Sequence, residues 1–391
     1  MPLHIVQAAA FPFPSPQGSQ VYVAGMARAL ARRGHRVTVA CYHHGQGELP
    51  EGIEVLRTPR VPGYNNMRAG PDWVKPGLDL AMALQLSTLH RRTGGRPPDI
   101  LHAHNYEAPL AAYIARRFTG VPVVYNNHNT MGEELHRYFE HPLAQRAARR
   151  LGRVLDLQIP RRADASVAIS QSALPILEGL GCRRVEQIPP GVDLEDFEGA
   201  DGARARAEHG FGDRVWVVYA GNPDAYQDLE ILIEAMLSVS SLGLVMVSAS
   251  PLTEWERLAA ELPAARKRFL LREDWAQVRD IIAAADIAAL PRTVCSGYPI
   301  KLLNYLGLGL PTVASEGSAQ ALPGVVSVPN HDPQAFAAAL VALAQDAERR
   351  RELGEQARAG VARSCTWDAQ AARLEALYLE ILSGGAAPSA G

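Results

Sequence analysis

The feature that most constrains the fold is a regular alternation of short apolar runs with longer helical patterns. In the first half, runs rich in β-branched and other apolar residues predict strands at 3–9, 36–42, 100–104, 121–127, 165–170 and 184–189. The pattern restarts in the second half and predicts strands at 214–221, 242–249, 267–271, 286–291 and 310–315. Intervening segments such as 24–35 and 228–236 have the apolar spacing of helices. Strands that alternate with helices form parallel sheets, so we predict an α/β fold.

A break between the two runs divides the chain into domains. A length of 391 residues is typical of two domains, and the segment 189–202, PPGVDLEDFEGADG, has the proline, glycine and acidic content of a linker. We therefore predict doubly wound, Rossmann-like domains at 1–192 and 193–365, which face a central cleft. Ligands are expected in that cleft, at the carboxyl ends of the strands. The tail, 383–391, is predicted to be disordered.

Charge and composition exclude several classes of protein. The formal net charge of −2 argues against nucleic acid as the main partner. No apolar run approaches the ~20 residues of a membrane span, and the N-terminus lacks the charged region of a signal peptide. The four cysteines lie far apart without a Cys-x-x-Cys pair, which favours reduced thiols and a cytoplasmic location: Cys41, Cys182, Cys295 and Cys365.

Two nucleotide-binding motifs are absent from the sequence. No Gly-x-Gly-x-x-Gly motif follows a predicted strand, and there is no Walker loop, which argues against dehydrogenases and P-loop proteins. After the first strand, however, Gly18 and Ser19 open a predicted helix. The free N–H groups and the dipole at a helix N-terminus favour a bound anion. An ordinary turn that caps the helix is the alternative.

Three histidines follow or end neighbouring strands. His102 and His104 share one face of a predicted strand, and His128 follows the next one. Such a trio is able to bind a metal, but no acidic cluster completes the site. Hydrogen-bonded histidines in a cleft are the commoner arrangement, so we predict no metal site.

The second half contains a candidate anion site. Gly221 ends a predicted strand, and Asn222 and Gln227 lie in the turn that follows, where their amides are able to bind hydroxyl or phosphate oxygens. Further along, a loop with Arg292 leads into a helix that begins near Pro299 and contains Lys301.

That helix is predicted to present free N–H groups from Tyr298, Ile300 and Lys301. A phosphate there would meet the helix dipole, the amides and the Lys301 ammonium together. The alternative is a lysine that buries its stem on an apolar helix and keeps its ammonium in water.

Taken in order, these segments resemble GT-B fold glycosyltransferases of the family 4 type, which are retaining enzymes that use nucleotide sugars. The resemblance runs from the first strand to about residue 382. Its motifs are GSQVYVAGMARALARRGHRVTV, ILHAHN, VPVVYNNHNT, VAISQSALPIL, IPPGVDLEDF, YAGNPDAYQDLEILIEAM, IIAAADIAALPR, SGYPIKLLNYLGLGLPTVAS and CTWDAQAARLEALYLEIL.

The resemblance implies transfer of a sugar from a nucleotide diphosphate to an acceptor hydroxyl, without a metal or other cofactor, in cell-envelope or other glycoconjugate synthesis. The second domain would bind the donor and the first the acceptor, and a helix at 366–382 would cross back to the first domain. His128 would contact the transferred sugar, with Arg292 and Lys301 as the other expected catalytic residues. The expected donor-binding residues are Gly18, Gly221, Asn222, Gln227, Ser296, Gly297, Tyr298, Ile300 and Asn304.

The sequence departs from this family at four charged positions. Family members commonly carry Arg and Lys where this chain has Asn222 and Gln227, and two Glu where it has Ser296 and Asn304. Losing two cations would cost roughly 3–6 kcal/mol of leaving-group stabilisation. We hypothesise that Arg292 and Lys301 replace them.

Two other functions stay open at this stage. The first is a catalytically silent protein that binds a nucleotide, a glycan or a partner enzyme. The second is a sugar-nucleotide epimerase, for which Glu133, Glu134 and Asp224 are the acidic candidates.

A basic helix in the first half bears on the acceptor. Its arginines share one face, opposite Leu143, Ala147, Leu151 and Val154: Arg146, Arg149, Arg150 and Arg153. This pattern is compatible with peripheral contact to anionic lipid at the inner membrane face, or with a solvated helix surface.

Overall fold

The chain forms two compact units, each a parallel α/β domain. A computed structural model describes residues 1–15, 17–67, 70, 72–91, 94–128, 130–171, 173–295 and 297–384, without the side chain of Glu133. The first unit comprises Met1–Gly191 and the C-terminal segment that begins at Trp367, and the second comprises Val192–Thr366.

The first unit is built on a seven-stranded sheet in the order β3-β2-β1-β4-β5-β6-β7, in which every paired strand is parallel. The strands are β1 His4–Ala9, β2 Arg36–Cys41, β3 Ile53–Arg57, β4 Ile100–His104, β5 Val123–Asn127, β6 Ala165–Ala168 and β7 Val185–Gln187. The strand order reverses between β1 and β4, which is the ligand-binding position of doubly wound folds. The central strands β1, β4 and β5 are buried on both faces, as is usual in parallel sheets, and they bury polar residues as well as apolar ones.

Helices cover both faces of this sheet. They are α1 Gly18–Arg32, α2 Lys75–Thr88, α3 Glu107–Thr119, α4 Met131–Glu134, α5 Pro142–Arg162 and α6 Leu174–Gly179, with short 3-10 turns at Leu89–Arg91 and Leu135–Tyr138. α1 starts at the predicted Gly18. Side chains of α2 and α3 pack with the strands in one core, whereas α1 packs in the core on the other face.

The second unit repeats the architecture with six parallel strands in the order β10-β9-β8-β11-β12-β13. These are β8 Trp216–Ala220, β9 Gly243–Ser248, β10 Lys267–Leu271, β11 Ile287–Leu290, β12 Thr312–Ser315 and β13 Val325–Val328. The order reverses between β8 and β11. β13 was not predicted, because it is a four-residue edge strand whose first three residues are partly or fully exposed.

The helices of the second unit are α7 Gly202–Glu208, α8 Leu229–Ser238, α9 Thr253–Leu258, α10 Trp275–Ala284, α11 Ile300–Gly307, α12 Pro333–Gln345 and α13 Ala347–Ser364. Short 3-10 turns lie at Leu194–Phe197, Ala225–Gln227 and Ala264–Arg266. Four side chains of α11 are fully buried in one core of this unit: Leu302, Leu303, Tyr305 and Leu306. This packing fixes α11 against the sheet.

The last helix, α14 Trp367–Leu382, packs on α1 of the first unit. Trp367 lies edge-on to Tyr22, with ring centroids 5.7 Å apart, and fills the space beside Gly25. Exposed ion pairs from Arg32 to Asp368 and from Arg33 to Glu375 add to the contact.

Two expectations about the whole chain have direct counterparts in the structure. Within the described residues, no helix combines the length and apolar character of a membrane span. All four cysteines are free thiols in the structure. The predicted tail falls largely outside the described residues.

Candidate functional site

The predicted residues of the second unit meet where its strand order reverses. Gly221 follows β8, and Arg292 follows β11. A cavity of about 300 Å³ opens beside Gly221 and is lined by both α11 and the loops that follow β8 and β9. Its polar lining includes Asn222, Ser248, Arg272, Glu273, Lys301 and Asn304. Three predicted residues besides Gly221 therefore share this cavity: Asn222, Lys301 and Asn304.

The Lys301 ammonium is held on the wall of this cavity. Its Nζ donates hydrogen bonds to Tyr219 Oη at 2.8 Å and Gln227 Oε1 at 3.1 Å, and lies 4.5 Å from the centroid of the Tyr219 ring. Burial, and secondarily the Arg292 charge, lowers the pKa of Lys301 to about 7. The lysine does not keep its ammonium in open water, so the alternative of a solvated snorkelling side chain is wrong.

The turn that contacts Lys301 is the one that lacks the family's cations. Gln227 Nε2 donates to Asn222 Oδ1 at 3.2 Å, and Tyr219 Oη donates to the Asn222 carbonyl at 2.6 Å. Asn222 Nδ2 in turn donates to Tyr226 Oη at 2.8 Å and to Asp224. Lys301 therefore brings a cation from α11 into a network that otherwise consists of Tyr219, Asn222, Tyr226 and Gln227 with the Asp224 carboxylate at its edge.

Gly221 makes room for that arrangement. Its φ of +138° disfavours other residues, and a Cβ placed on it would lie 2.7 Å from Lys301 Nζ. The second proposed cation, Arg292, lies in the loop after β11 and contacts this turn from outside. Arg292 stacks on Tyr226, with Cζ 4.8 Å from the ring centroid, and its Nε donates to the Val294 carbonyl. Among the described residues, those that line the cavity do not include Arg292.

The start of α11 differs from the prediction at one amide. The Ile300 N–H, predicted to be free, donates to the Tyr298 carbonyl at 3.0 Å, because Pro299 turns the chain tightly before the helix. Tyr298 is half-buried in the core, and the Gly297 carbonyl accepts a hydrogen bond from Cys295 Sγ. Ser296 lies outside the described residues.

In the first unit, the three predicted histidines form one buried network. His104 Nδ1 lies 3.1 Å from His128 Nε2, and His104 Nε2 lies 3.0 Å from Gln7 Oε1. His102 Nδ1 lies 2.5 Å from Tyr378 Oη, and its Nε2 lies 3.2 Å from Asn126 Oδ1. Burial holds the pKa of His102 and of His128 at about 3 and also lowers the pKa of His104 well below its usual range, so all three rings are neutral.

Neutral rings restrict where the protons lie. Tyr378 donates to His102, His102 Nε2 donates to the Asn126 oxygen, and the Asn126 amide donates to His128 Nε2 at 3.2 Å. His128 Nε2 is then an acceptor, so its proton lies on Nδ1.

With the Asn126 amide in this orientation, His104 donates from Nδ1 to His128 and accepts at Nε2. The Gln7 amide is then turned from the orientation given above, so that its nitrogen faces His104. In the opposite amide orientation, Gln7 Nε2 is buried without a partner. Two hydrogen-bond chains therefore converge on His128. In the described part of the chain, no three His, Cys, Asp or Glu side chains are arranged as metal ligands.

A second pocket, in the first unit, was not predicted from the sequence. This cavity of about 340 Å³ lies where β1 and β4 end, and Gln17, Ser19 and Gln20 from the start of α1 line it beside Gly18. Asn105, Tyr106 and Glu107 follow β4 directly and line it too. The rule that ligands bind where strand order reverses identifies these positions, once β1 and β4 are known to be neighbours.

The predicted basic helix is α5, and both of its predicted faces are exposed. They lie side by side, not opposite each other as predicted, because Arg150 and Val154 are one helical turn apart. The four arginines and the apolar residues Leu143, Leu151 and Val154 all face outward. The face that contacts the domain is formed by Ala148, Gly152 and Ile159. The apolar residues therefore do not belong to the core.

Two of the acidic candidates for epimerase chemistry belong to different units. Glu134 lines the pocket of the first unit and accepts a hydrogen bond from Tyr138, whereas Asp224 bonds Asn222 in the second unit. The Glu133 side chain lies outside the described residues.

Comparisons with known proteins agree on the class of enzyme. The family model described as Glycosyltransferase Family 4 matches residues 16–196, and the model described as Glycosyl transferases group 1 matches residues 214–346. D-inositol 3-phosphate glycosyltransferases from Xylanimonas cellulosilytica and Corynebacterium glutamicum are each 26% identical to this chain. The matches cover 93% and 94% of this chain and 91% and 92% of the two relatives.

Solved structures show the same fold. Sucrose-phosphate synthase from Thermosynechococcus elongatus matches with a TM-score of 0.76 and 18% identity, over 98% of this chain and 100% of that one. Anabaena HepE in complex with UDP matches with a TM-score of 0.70 and 15% identity, over 97% and 100%. The chain therefore belongs to the family 4 glycosyltransferases and is a glycosyltransferase of the GT-B fold, with two Rossmann-like domains.

Proposed function

We propose that this enzyme transfers a hexose from a nucleotide-diphosphate sugar to an acceptor hydroxyl, with retention of configuration and without a metal ion. The observation that carries the proposal is the position of Lys301, whose ammonium contacts the turn after β8. This contact lies beside a cavity at the point where the strand order of the second sheet reverses. The UDP complex of a protein with the same fold supports a nucleotide as the donor.

In this proposal the donor diphosphate binds beside Gly221, where the absence of a side chain lets oxygens approach the backbone. Lys301 neutralises the phosphate charge that increases as the sugar leaves, and Arg292 adds a more distant positive potential from the other side of the turn. Asn304 lines the same cavity and offers an amide to the nucleotide sugar hydroxyls.

Retention follows if the leaving phosphate itself accepts the proton of the attacking hydroxyl on the same face of the sugar. This route requires no side-chain nucleophile, so stabilisation of the departing diphosphate is the main task of the protein. His128, protonated on Nδ1, is proposed to donate a hydrogen bond to the transferred sugar. The biological role proposed is the assembly of a cell-envelope or other glycoconjugate.

The first test is calorimetric titration with uridine, guanosine and adenosine diphosphates in the presence of a chelator. We expect one of them to bind the wild-type protein, and Lys301→Ala to lose at least 100-fold in affinity, which corresponds to about 3 kcal/mol for a buried charge-assisted contact.

Lys267→Ala is the matched control, because Lys267 lies in the same unit but its ammonium bonds the carbonyls of Ala259 and Ala260. We expect this variant to bind like the wild type. Full affinity in Lys301→Ala would refute the proposed donor site. Turnover with a panel of nucleotide sugars, followed by NMR of the product anomer, tests transfer and retention.

A further inference from the structure

The pocket of the first unit opens onto exposed apolar surface. Leu110 of α3 and Leu151 of α5 both line it, yet 43% and 54% of their surfaces are exposed. They therefore lie at its mouth. Leu135 and Leu155, with Phe11, Met67 and Met131, make much of the remaining lining apolar. A pocket that bound only a small, fully hydrated sugar would gain little from these side chains.

From the mouth, two apolar stripes run along the helices. On α5, the stripe consists of Leu151, Val154 on one side of it along the helix and Leu143 on the other. Val154 and Leu143 are 52% and 65% exposed. On α3, Leu110 continues at helical spacing to Ile114 and Phe118, the latter 74% exposed. Exposed leucines occur singly on most proteins, but stripes that extend from a binding pocket indicate an apolar ligand or surface.

Positive charge accompanies the stripe on α5. Its exposed arginines lie alongside Leu143 and Val154 on the outward face: Arg146, Arg149, Arg150 and Arg153. Trp73, 99% exposed, lies two residues before Lys75 of the same pocket. Arginines beside exposed leucines on one helix are typical of helices that lie in the interface of an anionic bilayer, where exposed tryptophans are also common.

The polar end of the pocket is not suited to a phosphate. Its described lining contains one ammonium, from Lys75, and two carboxylates, from Glu107 and Glu134. The Lys75 ammonium already donates to the Gly70 carbonyl at 2.5 Å. The side chains of Gln17, Gln20 and Asn105 supply neutral donors and acceptors. This composition matches a head group of uncharged hydroxyls.

We propose that the acceptor is an amphiphile, an uncharged polyol or sugar linked to an apolar chain, which the first domain takes up from an anionic membrane through the α5 surface. The hydroxyl head binds among the polar residues of the pocket, and the chain leaves over Leu110 and Leu151 toward the bilayer. This inference rests on the proposed transferase function and defines the acceptor class. It differs from a phosphorylated cyclitol, the acceptor that the name of the 26% identical relatives indicates.

The membrane part is tested by sedimentation with vesicles of phosphatidylcholine, alone or with one third phosphatidylglycerol. We expect binding to the anionic vesicles only, and loss of about tenfold or more when Arg146, Arg149, Arg150 and Arg153 are all changed to Gln, since each basic residue near the surface adds to binding. The control changes four exposed arginines of α13 to Gln: Arg349, Arg351, Arg358 and Arg363. Equal losses in both variants, or no vesicle binding by the wild type, would overturn this part and favour a protein partner or a solvated helix.

The acceptor part is tested with two probes that share a head group, methyl and octyl β-D-glucopyranoside, below the micelle concentration. We expect the octyl compound to bind at least tenfold tighter, because each buried methylene adds to affinity. Leu151→Ser is expected to remove most of that preference, whereas Leu379→Ser on α14, with a similarly exposed leucine, keeps it.

Equal affinities for the two glucosides, or tighter binding of an inositol phosphate than of inositol, would overturn the acceptor class. The same full-length samples are also titrated with nucleoside diphosphates, which measures binding to the second unit. Because that binding depends on Lys301 and not on α5, failure of the acceptor inference is distinguishable from failure of the proposed function.

Discussion

At the scale of single residues, the proposed chemistry depends on a lysine that the fold partly desolvates. Lys301 exchanges water for Tyr219 and Gln227, and its pKa falls to about 7. A desolvated ammonium interacts more strongly with an incoming diphosphate than a hydrated one does. The same burial makes its charge depend on pH in the range where the protein works.

This dependence predicts a pH profile for donor binding. In the free protein Lys301 is mostly charged at pH 6 and mostly neutral at pH 9, and the diphosphate binds the charged form. Affinity for a nucleotide sugar should therefore fall as pH rises above 7, by up to tenfold per pH unit. Calorimetry at several pH values measures it. A nucleotide sugar is the better probe, because its diphosphate does not titrate in this range.

Lys301→Arg is the matched variant, since a guanidinium stays charged throughout. Its affinity should change little between pH 6 and 9. A flat profile in the wild type would show that Lys301 does not change its charge on this range, or does not contact the donor.

The histidine network makes a second prediction at this scale. Tyr378→Phe removes only the hydroxyl that donates to His102, and so weakens the chain of donors that places the His128 proton on Nδ1. We expect a loss of about 1 kcal/mol in stability, and a mixture of His128 tautomers in ¹⁵N NMR spectra.

Tyr125→Phe is the control, because Tyr125 is also fully buried in the first unit and its hydroxyl accepts a hydrogen bond from Asn127, outside the network. It should lower stability similarly without changing the His128 spectrum. A single unchanged tautomer in Tyr378→Phe would contradict the proposed direction of the chain.

At the scale of elements, helix α14 contributes both packing and chemistry to the first unit. It supplies Trp367, which packs against α1, and Tyr378, which ends in the histidine network. The apolar spacing of the final helix is visible in the sequence, but its partner is not. The residue that decides the contact, Gly25, is one small residue within an otherwise ordinary helix pattern.

Gly25→Ala should therefore destabilise the protein although alanine favours helices. The added Cβ would lie 2.2 Å from the Trp367 ring, which is 5% exposed and has no open space to move into. We expect a cost of about 1–3 kcal/mol in the free energy of unfolding, measured by denaturant titration. Gly18→Ala, where a Cβ meets nothing within 4 Å, should change stability little. A neutral Gly25→Ala would show that α14 packs differently on α1.

The observed strands and helices show how much of the fold the sequence predicts. Long apolar runs gave the buried strands, and the positions of Gly18 and Trp367 at helix starts were predicted correctly. β3 and β13 were missed because each is an edge strand, which needs few apolar residues. The exposed stripe on α5 could not be predicted, because the sequence does not show that Ala148 and Gly152, rather than the leucines, pack on the domain.

At the scale of the whole molecule, two domains of the same topology each place a pocket where strand order reverses. The position of Asn222 and Gln227 in the second was predictable from the loop after β8. The contact of Lys301 with Gln227 was not, because 74 residues separate them and only the packing of α11 beside β8 brings them together. That contact supports the view that the missing charge was replaced from another helix.

The most direct test of this claim moves the positive charge from α11 back to the turn after β8. In Lys301→Ala, the space beside Gln227 is left empty, and Gln227→Lys would place an ammonium in it from the turn itself, since the two side chains are 3.1 Å apart. We predict that Lys301→Ala loses nucleoside diphosphate binding and that Lys301→Ala/Gln227→Lys regains at least tenfold of it, with both variants folded by thermal melting. Wild-type affinity in Lys301→Ala, or no recovery in the folded double variant, would contradict the account.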